Sequence, residues 1–120
     1  MAKDLKESKL FTPYQMGPVT LRNRTIRSAA FESMGKDFNP TQKLKDYHVS
    51  VAKGGVGMTT LAYASINRSG VSFNSQLWLR DEVVEPLKDI TDAIHAEGAA
   101  AGIQIGHCGN MTHWSTAGSF

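Results

Sequence analysis

The feature that most constrains this chain is an order of elements that occurs twice: an amphipathic helix, a glycine and a short apolar run. In the first unit, apolar residues within 44–51 recur at spacings of three and four, as on one face of a helix. Thr41 stands at the N-cap position, and Gly54 and Gly55 follow as a helix stop. This pattern predicts a helix over residues 42–53.

The second unit has the same order. Its apolar positions step by four, three and four, and Gly98 follows them. Pro86 is compatible with this helix because it falls in the first turn, where a missing N–H has no partner to lose. We expect Asp81 to cap a helix predicted over about residues 83–97. The stepping residues are Val83, Leu87, Ile90 and Ile94.

Three β-prone runs of strand length alternate with these helices, predicted over about residues 25–29, 56–62 and 99–105. The second run in particular lacks strict alternation, which is typical of strands covered on both faces. The runs begin 31 and 43 residues apart, which accommodates right-handed βαβ crossovers. The sequence therefore predicts an α/β fold with parallel strands.

Two short alternating runs flank Gly17-Pro18 and predict a β-hairpin over about residues 14–21. The segment 1–10 is polar and is expected to be flexible. The first twenty residues carry charges and prolines, so they predict neither a signal peptide nor a membrane span.

Composition excludes some classes of function. The 120 residues include 13 basic and 11 acidic side chains, a formal charge of +2, which argues against an electrostatically driven nucleic-acid binder. A single cysteine, Cys108, can make neither an internal disulfide nor a multi-thiolate metal site. The histidine spacing does not match a zinc pattern either, so we expect no metal site and a cytoplasmic location.

Long connections follow the predicted strands, over residues 31–40, 63–80 and from 106 onward, whereas the connections that enter the strands are tight. Ligands of parallel α/β folds bind at the carboxyl ends of the strands. The candidate site is therefore at that edge.

Several side chains near this edge are candidates for chemistry. His107 could hydrogen-bond a substrate oxygen or move a proton, and a structural hydrogen bond is an equal alternative. An amide within an apolar strand, Gln104, needs partners for its carbonyl and its NH2, which a planar polar ligand or the backbone could provide. For Glu32, a solvated acid fits better than a catalytic base, and for Cys108 a buried inert thiol fits better than a nucleophile.

Five segments in order resemble the N-terminal part of the old yellow enzyme family, over about residues 10–110. That family comprises FMN-dependent NAD(P)H:flavin oxidoreductases, including 2-enoate and 2,4-dienoyl-CoA reductases and trimethylamine dehydrogenase. The five segments are Leu10-Phe-Thr-Pro, Leu21-Arg-Asn-Arg, Lys53-Gly-Gly-Val-Gly, Leu87-Lys-Asp-Ile-Thr-Asp-Ala-Ile-His-Ala-Glu-Gly and Gly102-Ile-Gln-Ile-Gly-His-Cys-Gly.

The resemblance implies a (β/α)8 TIM barrel whose bottom is capped by the hairpin. Such a barrel needs about 250 residues, so residues 1–120 are expected to be its N-terminal portion and to be inactive alone. The resemblance assigns cofactor contacts with FMN and a flank of the substrate site, but no catalytic residue. The cofactor contacts are Ser28, Ala29, Ala30, Phe31, Tyr63 and Gln104, and the flank is His107.

The implied reaction takes hydride from NAD(P)H onto the flavin and delivers it to an activated alkene, so a small-molecule substrate is expected. The partner is then the remainder of the barrel or a homo-oligomer. Phe31 stands where many relatives carry Cys, Thr or His. The run from Tyr63 to Asn67 looks more like amine dehydrogenases and dienoyl-CoA reductases. Two alternatives stay open: an amine dehydrogenase, and a non-catalytic α/β binding or assembly module.

Overall fold

The structure, a computed structural model, describes residues 7–112. An antiparallel hairpin of β1 (Tyr14–Met16) and β2 (Val19–Leu21) lies where the sequence predicts it. Gly17 takes a φ of +56° at the turn, a conformation that glycine adopts without steric cost. Of the segment 1–10, residues 1–6 lie outside the described part, and Lys9–Phe11 form a 3-10 turn.

A four-stranded sheet of entirely parallel pairs follows the hairpin. The central strand β4 pairs with β6 along one edge, and with β3 at the start and β5 at the end of the opposite edge. Its strands are β3 (Ile26–Arg27), β4 (Met58–Ser65), β5 (Leu77–Trp78) and β6 (Ala100–Gly106).

Strand boundaries differ from the prediction in three places. The strand predicted over 56–62 is observed as Met58–Ser65, so it begins two residues later and includes the first three residues of the predicted connection. The first strand has only two residues in the ladder, and the segment 28–31 lies beyond it. The short strand β5 lies within the connection predicted to be a loop. A strand of two residues is too short to show an alternating pattern in the sequence, so only the pairing of β5 with β4 reveals it.

Two helices, α1 (Gln42–Lys53) and α2 (Val84–Ala96), cover the sheet. The N-cap of α1 is Thr41, whose hydroxyl accepts a hydrogen bond from the Leu44 N–H at 3.2 Å. The core between helices and sheet is formed by small and branched apolar side chains. They are Leu44, Ala52, Leu61, Ala64, Leu77, Ile90, Ile94 and Ala99. Within residues 7–112, neither helix has the length and apolarity that crossing a membrane requires.

The expectation that Asp81 caps the second helix is wrong. Asp81 lies inside a 3-10 turn, Asp81–Val83, that leads directly into α2. The N-cap is Val83, which has no side-chain oxygen to accept a hydrogen bond.

Arg22 joins the three chain segments that meet at the amino-terminal edge of the sheet. Its guanidinium donates to the carbonyl oxygens of Ala52 at the end of α1, of Val56 before β4 (3.0 Å), and of Glu97 after α2 (2.7 Å). The next residue, Asn23, donates to the Gly55 carbonyl at 2.7 Å. The motif Leu21-Arg-Asn-Arg therefore closes the end of the sheet opposite the candidate site.

Candidate functional site

An open cleft of about 770 Å³ lies at the carboxyl ends of β4 and β6. This is the edge at which the sequence predicts the site. The described lining is aromatic, apolar and neutral polar, without Asp, Glu, Lys or Arg. It consists of Tyr63, Ser72, Phe73, Gln104, Ile105, Gly106, His107, Cys108 and Met111.

Gln104 lies in the cleft wall with its side chain exposed. Among the described strands, β6 pairs only with β4, which leaves Gln104 and its neighbours Ile103 and Ile105 uncovered. Its amide group has no hydrogen-bond partner within residues 7–112. A donor and an acceptor are thus both available to a ligand.

His107 lies in the same wall, and both of its ring nitrogens are engaged. Nδ1 accepts a hydrogen bond from the Gly109 N–H at 3.0 Å, and Nε2 lies 3.2 Å from the Ser69 hydroxyl. Since Nδ1 is an acceptor, the hydrogen of the neutral ring is on Nε2 and points to Ser69. The ring also lies against Gly70, where an added Cβ would come within 2.5 Å of it. Both ring nitrogens thus take part in structural hydrogen bonds, and a role toward substrate stays a prediction.

Three aromatic rings meet beside the cleft. Phe31 stacks on Phe73 with centroids 5.2 Å apart and contacts Tyr63 at 5.4 Å in a tilted arrangement. Phe31 remains 37% exposed and Phe73 50% exposed, so their ring faces are accessible. The preceding residues Ser28 and Ala30 are also exposed. The structure thus brings Phe31, the last residue of the predicted segment 28–31, next to Tyr63.

Cys108 is half-buried and contacts Gln76, a residue that the sequence analysis missed. Its sulfur lies 3.7 Å from both amide atoms of Gln76, and the Gln76 side chain is fully buried. Burial raises the pKa of the Tyr63 hydroxyl, and the Cys108 thiol beside it adds to the rise. Gln76 lies in a polar stretch, where no sequence signal separates a buried amide from a solvated one.

Glu32 is the largest departure from the sequence analysis at this edge. The expected solvated acid has a side chain only 6% exposed. Its carboxylate accepts hydrogen bonds from Arg27 and His48, both at 2.9 Å, and from the Ala62 N–H at 3.2 Å. Burial alone would raise the pKa of the Glu32 carboxyl. The hydrogen bond from His48, together with smaller effects of the backbone N–H groups of Glu32 and Ala62 and of the electrostatic attraction to His48, outweighs burial, so the pKa is lowered.

No group of three or more potential metal ligands occurs in the part of the chain that the structure describes.

Residues 9–116 match the sequence model of the NADH:flavin oxidoreductase / NADH oxidase family. The chain belongs to this family. The match covers nearly the whole chain and confirms the resemblance found in the five segments, and the members of the family are enzymes.

Two curated relatives illustrate the family. The 4,4'-dithiodibutanoate disulfide reductase of Rhodococcus erythropolis is 40% identical over 100 residues, which are 83% of this chain and 25% of the relative. The probable N-methylproline demethylase of Rhizobium meliloti is 41% identical over 107 residues, which are 88% of this chain and 16% of the relative. The chain thus spans a quarter or less of these two proteins.

Solved structures agree with the observed fold. A 2-naphthoyl-CoA reductase in complex with 2-naphthoyl-CoA is similar with a TM-score of 0.85 and 26% identity, over 92% of this chain and 17% of that chain. The old yellow enzyme homologue from Zymomonas mobilis gives a TM-score of 0.83 at 24% identity, over 92% of this chain and 31% of that chain. The predicted fold class is confirmed: parallel βα units of the N-terminal part of a TIM barrel, preceded by a hairpin.

Proposed function

We propose that the protein is an FMN-dependent oxidoreductase that passes hydride from NAD(P)H through the flavin to an activated alkene of enoate, enone or dienoyl type. The observation that carries this proposal is the amide of Gln104, which has no partner within residues 7–112 and lies in a cleft beside Phe31 whose described lining holds Tyr63 and no Asp, Glu, Lys or Arg. Membership of a family of flavin oxidoreductases supports it.

The described residues fit the ring system of a flavin. A flavin pyrimidine presents carbonyl oxygens and an N–H along one edge, and the Gln104 amide can both donate to and accept from such an edge. The Tyr63 ring in the cleft lining and the Phe31 ring beside it, which follows the exposed residues Ser28 and Ala30, would provide the adjoining wall. Because the described lining contains no Lys or Arg, we assign the phosphate of FMN to residues outside this lining.

FMN supplies the hydride acceptor and donor when it is bound. In this proposal, Gln104 orients the cofactor, and the segment 28–31 with Tyr63 supports its ring. Phe31 has no polar atom in its side chain, so it excludes water there without donating a hydrogen bond. His107 borders the substrate site with its ring held in one orientation by Gly109 and Ser69.

We also propose how the rest of the site is completed. Ile103 and Ile105 are 37% and 59% exposed on β6, and further barrel strands or a second copy of this chain would cover them. The partner in solution is a small-molecule substrate, and the proposed location is the cytoplasm.

A second candidate is oxidation of an N-methylated amine. The 41% identity with an N-methylproline demethylase favours it. So do the accessible faces of Phe31 and Phe73, because aromatic faces attract cationic amines.

The test is to purify the protein as its gene encodes it and to record its visible spectrum. We then measure NADH and NADPH oxidation with 2-cyclohexenone, and flavin bleaching with N-methylproline. We expect a flavin spectrum and NAD(P)H oxidation that depends on the enone. Bleaching by N-methylproline without enone turnover would support the amine dehydrogenase instead, and a protein without flavin affinity would favour a binding module.

A further inference from the structure

The central strand β4 is irregular at the point where it reaches the cleft. Its pairing with β6 runs in register up to Leu61, opposite Ile103, and resumes at Ala64, opposite Ile105. Two residues of β4, Ala62 and Tyr63, therefore stand opposite one residue of β6, which is Gln104. This count defines a β-bulge, and bulges redirect side chains next to active sites.

The backbone N–H of Ala62, at this bulge, is directed to a side chain. It donates to both carboxylate oxygens of Glu32, each at 3.2 Å. Ala62 itself is 4% exposed, so an unpaired N–H here would be costly. The carboxylate thus stabilises the bulged backbone.

The Glu32 carboxylate also accepts hydrogen bonds from side chains of two other elements. Arg27 at the end of β3 donates to it and also to the carbonyl oxygens of Thr60 (2.7 Å) and Ala30 (3.1 Å). From α1, the fully buried His48 donates through Nε2, and its Nδ1 shares a hydrogen bond of 2.8 Å with the Thr59 hydroxyl. One carboxylate therefore joins β3, α1 and β4.

The residues next to these two bonded residues meet beside the cleft. Phe31 precedes Glu32 and Tyr63 follows Ala62, and their rings are 5.4 Å apart. The bond between Glu32 and Ala62 thus fixes the relative position of two chain segments that the proposed function places against the flavin.

We propose that Glu32 is a positioning residue: it holds the bulge of β4 and thereby sets Tyr63 and Gln104 in the wall of the flavin site. The flavin part of this inference rests on the proposed function, whereas the part that concerns the bulge does not. Glu32 does not act as a base on substrate, because its carboxylate is buried and already accepts hydrogen bonds from three different residues.

The decisive variant is Glu32→Gln in the full protein as encoded by its gene. It keeps the size of the side chain, but it removes the charge that faces Arg27 and His48 and replaces one acceptor oxygen by a donor. The matched control is Glu85→Gln on α2, where the carboxylate is exposed.

For Glu32→Gln we expect hydrogen exchange at the Ala62 amide to rise at least tenfold, flavin to bind at least tenfold more weakly, and the visible flavin bands to shift. Glu85→Gln should leave all three unchanged. A folded Glu32→Gln protein with wild-type exchange at Ala62 and wild-type flavin affinity would overturn the inference, even if its melting temperature fell.

The wild-type protein provides a second test if the variant does not fold. The side chains that face Glu32 come from β3 (the charged Arg27) and α1 (the imidazole of His48), and its contact on β4 is a backbone N–H. On acid titration, the NMR shift of the Ala62 amide should therefore follow protonation of Glu32 below pH 4.5. An Ala62 amide that does not titrate would contradict the inference. If the wild type binds no flavin, the proposed function fails, while exchange and titration at Ala62 still decide the role of Glu32.

Discussion

The two edges of the parallel sheet differ in how their polar groups are used. At the amino-terminal edge, Arg22 and Asn23 satisfy the carbonyl oxygens that α1, α2 and their connections leave there. At the carboxyl edge, the amide of Gln104 has no partner within residues 7–112, and Phe73 and Met111 are 50% and 74% exposed.

The difference has a physical origin. Both helices end at the amino-terminal edge, so unpaired carbonyl oxygens and the negative ends of the helix dipoles gather there, and a guanidinium binds them well. At the carboxyl edge, the longer connections leave a neutral cleft. One edge therefore serves stability and the other is available to a ligand, as is general in βα barrels.

The largest effect is expected from Arg22→Ala at the amino-terminal edge. It removes three hydrogen bonds from a charged donor and should lower the free energy of unfolding by about 3 kcal/mol. The measurement is urea unfolding followed by circular dichroism. The control is Arg24→Ala, an exposed arginine that lies over the Tyr14 ring, which should cost less than about 1 kcal/mol. If the two variants lost the same free energy of unfolding, the three hydrogen bonds of Arg22 would contribute no more to stability than an exposed arginine does.

The same substitution, Gly→Ala, at one glycine of each edge compares how much the two edges contribute to stability. A Cβ on Gly57 would lie 2.4 Å from the Asn23 carbonyl oxygen, so Gly57→Ala forces the backbone apart and should cost about 2–3 kcal/mol. Gly106 at the carboxyl edge has no atom within 4 Å of such a Cβ. Gly106→Ala should therefore change stability by less than about 1 kcal/mol. Urea midpoints of the two variants measure this, and a larger loss for Gly106→Ala would contradict the comparison.

A pH series tests the carboxylate of Glu32, a buried and strongly bonded group at the carboxyl edge. Because the pKa of Glu32 is lowered on folding, its carboxylate contributes stability above about pH 4.5, and this contribution is lost as the pH falls through the lowered folded value. The difference in urea midpoint between wild type and Glu32→Gln should therefore be full at pH 7 and shrink toward pH 3. Glu85→Gln should retain the acid dependence of the wild type. A difference that stays constant over this range would show that the charge of Glu32 does not stabilise the fold.

The smallest effect on stability is expected from Gln104→Ala. Since its amide has no partner within the described residues, the free energy of unfolding should change by less than about 0.5 kcal/mol. Flavin affinity, measured by fluorescence titration, should fall about tenfold, as for the loss of a hydrogen bond worth about 1.4 kcal/mol. Gln42→Ala on α1, whose amide donates to Asp46, should leave flavin affinity unchanged. If Gln104→Ala lowered the free energy of unfolding but left flavin affinity unchanged, Gln104 would serve stability and not ligand binding, and the comparison of the two edges would fail.

The helices could be predicted from the sequence because their signals are local. The N-cap Thr41 and its partner Leu44 are three residues apart, and the apolar stripe of each helix is visible within a few turns. The same reasoning failed for Asp81, because a 3-10 turn moved the start of α2 past it.

Site residues were harder to predict, because their surroundings come from distant parts of the chain. Tyr63 was found only through a family resemblance, and Gln104 was found first as an amide within an apolar strand; both line the cleft. The contact between Glu32 and Ala62 spans 30 residues, and that between Gln76 and Cys108 spans 32. No periodicity or motif reports such a contact, so a buried carboxylate and a solvated one look alike in the sequence.

By itself, the sequence determined the order of helices and strands, their parallel arrangement and the edge at which the candidate site lies, because periodicity, caps and glycine stops act between near neighbours. Only the tertiary structure decided which polar groups are satisfied. It buried Glu32 against Arg27, His48 and Ala62, and it left Gln104 open to a ligand. Burial depends on which distant segments pack together, and that is settled only when the sheet and its helices assemble.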